Sequence, residues 1–195
     1  MSRLGPIPLE QMTPAQRALF DDLTGGKRSS LSKQTSDFFN EQGALRGPFN
    51  AMLRSPELGN LVQRVGEAVR FATTLTGPQR EIGIITAGAY WRSNYEFVSH
   101  RKHAIREGAS EEDCEAVRQG RAPSAPDLAT VWKFVKELNE TTKVSDDTYD
   151  EAFQLLGEQG VAELVILSGY YALVSQLLNA FQVQLPTGVE PPFPE

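Results

Sequence analysis

One short stretch of the sequence combines residue types that can transfer a proton. Ser93-Asn94-Tyr95-Glu96-Phe97-Val98-Ser99-His100 places a carboxylate four residues before one of the two histidines of the chain. Successive helix residues turn by about 100°, so Glu96, His100 and His103 would share one face of a helix that begins after Ser93. A carboxylate at this spacing can hold an imidazole in one tautomer and raise its basicity, which suits acid–base chemistry near neutral pH.

Structural roles compete with this interpretation. Ser93 and Glu96 have the spacing of a capping box, in which the glutamate accepts a hydrogen bond from the Ser93 amide. Glu96 and His100 could instead form an exposed pair that contributes roughly a few tenths of a kcal/mol. Glu96, His100 and His103 are also possible metal ligands, but the His-Glu-x-x-His spacing of zinc helices is absent, and we predict no metal site.

The residues around this stretch favour a reactive site. Glu81 lies in a strongly apolar predicted helix, where an unpaired carboxylate would be costly to bury. It could complete an acid–histidine relay, or it could sit in the first turn of its helix and face solvent. Arg92 and Arg101 could hold a substrate carboxylate, the alternative being a solvated basic face paired with nearby acids. Tyr95 could form a wall of the pocket.

The helices that must position these residues are indicated by proline and capping patterns. We predict an all-α protein of seven or eight helices, because no run shows strand alternation flanked by hairpin turns. The strongest predicted helix starts are Thr13-Pro14-Ala15-Gln16, Ser55-Pro56-Glu57, Thr76-Gly77-Pro78-Gln79 and Ser110-Glu111-Glu112-Asp113. Further helices are predicted over Leu128–Leu138, from Ser145 to about Gly157, and over Val161–Phe181, whereas Lys27 to Thr35 is predicted to be a loop.

Length and composition indicate an ordinary globular protein. A chain of 195 residues and net charge −6 fits a single domain over 1–195, with an extended N-terminal arm (about 1–12) and a C-terminal tail (about 185–195). The acidic balance disfavours nucleic-acid binding. No stretch approaches the ~20 apolar residues that span a bilayer, so we predict no membrane partner and a cytoplasmic location.

Cysteine usage excludes several kinds of site. Cys114 is the single cysteine, so the chain has no internal disulfide, no Cys-x-x-Cys redox pair and no cysteine-rich metal site. Cys114 has no cysteine partner in the chain with which it could form a redox disulfide.

Several of these motifs together resemble one known family. They are Gly47-Pro48-Phe49-Asn50 with Ser55-Pro56-Glu57, Leu75-Thr76 leading into Arg80-Glu81-Ile82, and Tyr95-Glu96 through His100 to Gly108. Over about residues 44 to 185 the sequence is similar to the carboxymuconolactone decarboxylase superfamily, which also contains the alkylhydroperoxidase D type proteins. The segment Glu163-Leu164 to Gly169-Tyr170-Tyr171 looks like the decarboxylase-like branch.

The resemblance implies a fold, a chemistry and an assembly. Decarboxylase-like members are all-α proteins that form trimers or hexamers, work without metal or organic cofactor, and act on a carboxylated lactone from aromatic-compound breakdown. We therefore predict a homo-oligomeric lyase, or a related acid–base enzyme, that acts on a small carboxylated molecule. The catalytic residues would be Glu81, Glu96 and His100, and the substrate-binding residues Arg92, Arg101, Ser93, Tyr95 and His103.

The peroxidase branch of the superfamily provides the main alternative. Its helix starts with Cys-x-x-Cys-x-x-x-His, and a glutamate in the preceding helix completes a proton relay. On that pattern His100 and Glu81 match, whereas Ser93 and Glu96 stand where the cysteines would be. A hydroxyl and a carboxylate cannot form the thiolate and disulfide that peroxide reduction needs. A peroxidase-related protein using another thiol donor, or a non-catalytic binding or assembly module, remain the alternatives.

Overall fold

The computed structural model describes residues 2–25, 39–40 and 43–194. The predicted loop from Lys27 to Thr35 lies outside these residues. Two compact units divide the chain, one formed by Met1–Ala72 with Leu177–Gln184 and the other by Thr73–Gln176 with Leu185–Glu195. The single domain expected from the sequence stays a prediction.

The described residues form eight α-helices and no strand. The only β-type contact among them is an isolated bridge between Phe39 and Leu45. The prediction of an all-α helical bundle is confirmed. The helices are α1 (Pro14–Gly25), α2 (Gly47–Met52), α3 (Pro56–Phe71), α4 (Gly77–Tyr90), α5 (Asn94–Glu107), α6 (Glu111–Arg118), α7 (Pro126–Thr141) and α8 (Asp146–Ala180).

The first unit packs α1 and α2 against α3. The start of α1 is a capping box. The backbone amide of Gln16 donates to Thr13 Oγ1 at 3.3 Å, and the backbone amide of Thr13 donates to Gln16 Oε1 at 3.0 Å. The small core of this unit includes Leu19, Leu23 and Leu53. The N-terminal arm is not extended throughout, since Leu9–Gln11 form one turn of 3-10 helix.

An apolar stripe on α3 lies on the surface of the chain. Leu58, Leu61 and Val65 follow helical spacing, yet they are 61%, 63% and 45% exposed. The α3 residues that are buried include Gly59, which lies so close to the Met52 carbonyl that a Cβ there would collide with it.

The second unit is built around α4. Its start at Thr76 is a capping box with Gln79, as the sequence predicts, and every residue from 81 to 88 is buried. Helices α5, α6 and α7 pack against it. Gly83 permits a close approach to α8, because a Cβ there would lie 3.1 Å from Leu167 and 3.3 Å from Leu164. The central position of α4 means that any polar side chain on it needs a partner within the unit.

Helix α8 is interrupted at Gly157, whose φ of 69° and ψ of 177° are not helical. This break lies where the sequence predicts one helix to end and a more apolar one to follow. Within the described residues, α8 is also the one helix long and apolar enough to cross a membrane. That is weak evidence for a membrane span, because the core helix of a globular protein meets the same criterion and 44% of the apolar window is buried.

Candidate active site

A buried histidine stands between two carboxylates from neighbouring helices. His100 on α5 places Nδ1 2.7 Å from Glu81 Oε2 on α4, and Nε2 3.1 Å from Glu96 Oε1 one turn earlier on α5. The side chains of Glu81, Glu96 and His100 are 0%, 4% and 10% exposed. Packing of α5 against α4 therefore brings together three residues that the sequence singles out.

The two contacts of His100 differ in quality. The short contact with Glu81 is a hydrogen bond, whereas Glu96 Oε1 has no hydrogen bond of acceptable geometry despite its ion-pair distance from Nε2. The hydrogen bond with Glu81 thus fixes the orientation of the imidazole ring, whereas the contact between Nε2 and Glu96 constrains it less. The imidazole is also the most exposed of the three side chains.

The charge of His100 results from opposed effects. Burial of the ring is the largest single effect and by itself lowers the pKa, because desolvation disfavours the imidazolium. Glu81 and Glu96 together outweigh burial through their charges and contacts, and they raise the pKa of His100 above its usual 6.5. The two carboxylates therefore make His100 easier to protonate than an ordinary histidine.

The competing structural roles of Glu81 and Glu96 are wrong. The Ser93 amide donates to Gly88 O at 2.8 Å, so it is not capped by Glu96, and the Ser93 side chain makes no capping hydrogen bond. Glu96 is 3% exposed and Glu81 is fully buried, which excludes a surface ion pair and a solvent-facing first-turn acid. Ser93 still precedes the helix, with its Oγ buried and without a hydrogen-bond partner among the described residues.

Aromatic rings enclose the imidazole. His103, one of the predicted substrate-binding residues, lies with its ring centroid 5.4 Å from that of His100. Tyr171 on α8 contacts His100 edge to face at 5.1 Å and is itself buried. Tyr95, predicted as a pocket wall, is buried in the first turn of α5. Tyr171 thus packs on His100 from outside α5.

Arg80 supplies the positive charge next to the buried acids. Its Nε lies 3.4 Å from Glu81 Oε1, and its Nη2 lies 3.9 Å from Glu107 Oε2. Sequence reasoning missed Arg80 and Tyr171 as site residues. The signal for Arg80 was its position directly before Glu81, whereas nothing local marks Tyr171, which is 71 positions after His100.

The two arginines predicted to bind substrate are engaged elsewhere. The Arg92 guanidinium donates to Pro194 O at 2.6 Å and lies over the Phe193 ring. Arg101 Nη2 lies 3.7 Å from Glu111 Oε2, beside an open groove of about 330 Å³ lined by charged residues of α5, α6 and the segment that follows α6. Both guanidinium groups thus have other partners in the structure, and their role in substrate binding stays a prediction.

Cys114 is unsuited to thiol chemistry. It is fully buried in α6, and burial, followed by the charges of Asp113 and Glu111, raises the pKa of its thiol to about 11 despite the opposing charge of Arg101. At pH 7 only about one thiol in ten thousand would be ionised. With Ser93 and Glu96 at the redox positions, the described site contains no reactive thiol.

The donor arrangement also does not match a metal site. Among the described residues, no group of three His, Cys, Asp or Glu side chains is positioned to hold a metal ion. At His100, each ring nitrogen lies within 3.1 Å of a carboxylate oxygen.

Residues 56–137 match the model of the carboxymuconolactone decarboxylase family. This match supports assignment of residues 56–137 to that superfamily. No curated protein matches the chain.

The matched region of this carboxymuconolactone decarboxylase-like chain holds the acid–base residues themselves. Glu81, Glu96, His100 and Arg80 all fall within residues 56–137, whereas Tyr171 lies beyond it. The matched residues therefore include the carboxylate–imidazole cluster. The Tyr171 ring, which packs on this cluster from α8, lies outside the matched residues.

Proposed function

We propose that the protein is a cofactor-free acid–base enzyme of the decarboxylase type, acting on a small carboxylated molecule such as a lactone. The observation that carries this proposal is the buried His100 held between Glu81 and Glu96, at 2.7 Å and 3.1 Å. Such an arrangement stores a proton at a fixed atom and in a site that largely excludes water.

In the proposed reaction, the bond between the substrate carbon and its carboxylate breaks and CO2 leaves. The electron pair stays on the substrate as a carbanion or enolate, which takes a proton from His100 Nε2. Glu81 keeps its hydrogen bond with Nδ1–H throughout, which holds the ring in the tautomer that can be reprotonated at Nε2. Solvent then restores the Nε2 proton, with Glu96 as the adjacent carboxylate.

Substrate binding would depend on the imidazolium itself. Arg92 and Arg101 bind other groups, and Arg80 faces Glu81 and Glu107. The positive charge nearest the Nε2 side is thus that of His100, which would attract an anionic substrate only in its protonated form. The proposal accordingly expects activity to fall as the pH rises through the raised pKa of His100.

The direct test is CO2 release from carboxymuconolactone in D2O, with deuterium incorporation at the product carbon as the second readout. Because general acid–base groups typically contribute about 100-fold or more, we expect His100→Ala and Glu96→Gln each to lower kcat by at least that factor. Glu81→Gln should also lower kcat, since a neutral amide cannot stabilise the imidazolium.

Two variants serve as matched controls for this test. Glu140→Gln removes a carboxylate from an exposed i,i+4 pair with Lys136 and should leave turnover unchanged. Cys114→Ser tests the peroxidase-related alternative, and it too should leave CO2 release unchanged. Full turnover in His100→Ala would contradict the proposal. An inactive wild type, with all variants folded and assembled alike, would favour the binding or assembly module.

A further inference from the structure

Five charged side chains form a line of alternating sign that includes the proposed proton donor. Glu107 Oε2 lies 3.9 Å from Arg80 Nη2, and Arg80 Nε lies 3.4 Å from Glu81 Oε1. Glu81 Oε2 then contacts His100 Nδ1 at 2.7 Å, and His100 Nε2 faces Glu96 Oε1 at 3.1 Å. With His100 protonated, each group has oppositely charged neighbours.

The line runs from the surface into the interior of the second unit. The side chains of Glu107, Arg80 and Glu81 are 35%, 15% and 0% exposed. Gly77, at the start of α4, leaves the space that Glu107 occupies, because a Cβ there would collide with the Glu107 carboxylate. Interactions at the buried end are therefore poorly screened by solvent, whereas those at Glu107 are open to salt.

The carboxylate of Glu81 is shared between two cations. One oxygen faces Arg80 and the other accepts from His100, so Arg80 and His100 do not compete for the same atom. The other titratable groups that face His100 are Glu96 and His103 from α5 and Tyr171 from α8. Arg80 is thus a permanently charged group in direct contact with the Glu81–His100 pair.

We propose that Arg80 is a positioning residue that acts through Glu81, keeping that carboxylate ionised and directed at His100 Nδ1, and that Glu107 moderates Arg80 from the surface. This role rests on the proposed acid–base function of His100, although its electrostatic part can be measured without any substrate.

The charges give the sign of each effect. Removing the Arg80 charge makes every protonation in the cluster easier, so the cluster should release its proton at a higher pH than in the wild type. Removing the Glu107 charge leaves the Arg80 charge less compensated, so release should occur at a lower pH. The second effect should be the smaller one, since Glu107 is partly exposed and farther from the pair.

The test is a pH titration of the full-length protein with 15N-labelled histidine, in which His100 and His103 are the only two imidazoles. We expect the His100 midpoint to rise in Arg80→Gln, to return to the wild-type value in Arg80→Lys, and to fall in Glu107→Gln. High salt should reduce the Glu107→Gln shift more than the Arg80→Gln shift.

Charge-matched controls separate this role from a general loss of charge or structure. Lys136→Gln and Glu140→Gln make the same two charge changes in an exposed pair on α7 and should leave the His100 midpoint unmoved. Shifts of the same direction in Arg80→Gln and Glu107→Gln, or no shift in either, would overturn the proposal. If Arg80→Gln does not fold, a wild-type midpoint in Arg80→Lys with a lowered midpoint in Glu107→Gln supports the proposal, and an unmoved or raised midpoint in Glu107→Gln overturns it.

The same variants distinguish this inference from the proposed function. If the wild type releases no CO2 while the His100 midpoints move as described, the decarboxylase function fails and the electrostatic role of Arg80 stands. If CO2 is released but the midpoints do not move, the decarboxylase function stands and the electrostatic role of Arg80 fails. When both are correct, the pH at which kcat falls should shift with the His100 midpoint in each variant.

Discussion

At His100, the cost of burying a charge competes with the attraction of two carboxylates. Desolvation alone would favour the neutral ring. A neutral ring, however, would leave the buried carboxylates of Glu81 and Glu96 without the positive charge of an imidazolium between them. Protonation of His100 places a positive charge next to both carboxylates, and Arg80 adds a second positive charge beside Glu81. The cluster is thus stable as a set, and a change in one member alters the proton affinity of the others.

This coupling makes stability depend on pH in a definite direction. The folded pKa of His100 lies above its unfolded value of 6.5, so the stabilisation from protonation is fully present below pH 6.5 and is lost as the pH rises through the folded pKa. We expect the free energy of unfolding in urea to fall as the pH rises from about 6.5 through the folded pKa of His100 in the wild type.

The control for this prediction is the second histidine. His103→Gln should keep the pH dependence of the wild type, whereas His100→Gln should lose most of it, since glutamine does not titrate. A wild-type stability that rises over this pH range, or an equal slope in both variants, would be inconsistent with the proposed charge state.

At the scale of the helix, the start of α5 is held by the C-terminal segment. The Phe193 amide donates to Asn94 Oδ1 at 2.8 Å, and Asn94 Nδ2 donates to Phe193 O at 3.2 Å. The Phe193 ring packs edge to face on Phe97 at 5.1 Å. Arg92 adopts the left-handed conformation, with φ of 50°, and donates to Pro194 O. The tail thus replaces the missing Ser93 cap as the support of this helix end.

Removal of the Phe193 ring should loosen the first turn of α5. We expect Phe193→Ala to increase amide hydrogen exchange from Tyr95 to Val98 by about tenfold or more, because a buried aromatic contact and its neighbouring hydrogen bonds are lost. Glu190→Ala, an exposed change in the same tail, should leave exchange there unaltered. Unchanged exchange in Phe193→Ala would show that the tail does not support α5.

The ends of the helices can be predicted where the residues that mark them are close together in the sequence. The capping signals at Thr76 and Ser110 each lie within a few residues, and both occur in the structure. The proximity of Glu96 to His100 follows from helical periodicity in the same way. The partners of Arg92 and Asn94 come from the other end of the chain, and Tyr171 comes from α8, so no pattern around those positions could indicate them.

At the scale of the whole molecule, the exposed stripe of Leu58, Leu61 and Val65 is consistent with self-association. The homo-oligomer expected from the family resemblance stays a prediction. We expect sedimentation velocity to give a mass well above the 21.5 kDa of one chain for the wild type. Leu61→Glu should shift it toward the monomer, because a charge would be buried in an apolar interface.

A matched variant guards against a general effect of added charge. Gln154→Glu introduces the same charge at an exposed position of α8 and should sediment like the wild type. Identical assembly in Leu61→Glu would exclude this α3 stripe as the interface, and a monomeric wild type would contradict the oligomer itself.

The central claim is that His100 carries the transferable proton between Glu81 and Glu96. The most direct measurement is the 15N spectrum of its imidazole in the wild type and in Glu96→Gln as a function of pH. The account predicts a doubly protonated His100 that titrates above 6.5, and a lower midpoint in Glu96→Gln because one stabilising carboxylate is lost. A His100 that is neutral at pH 6.5, or a midpoint unchanged in Glu96→Gln, would contradict it.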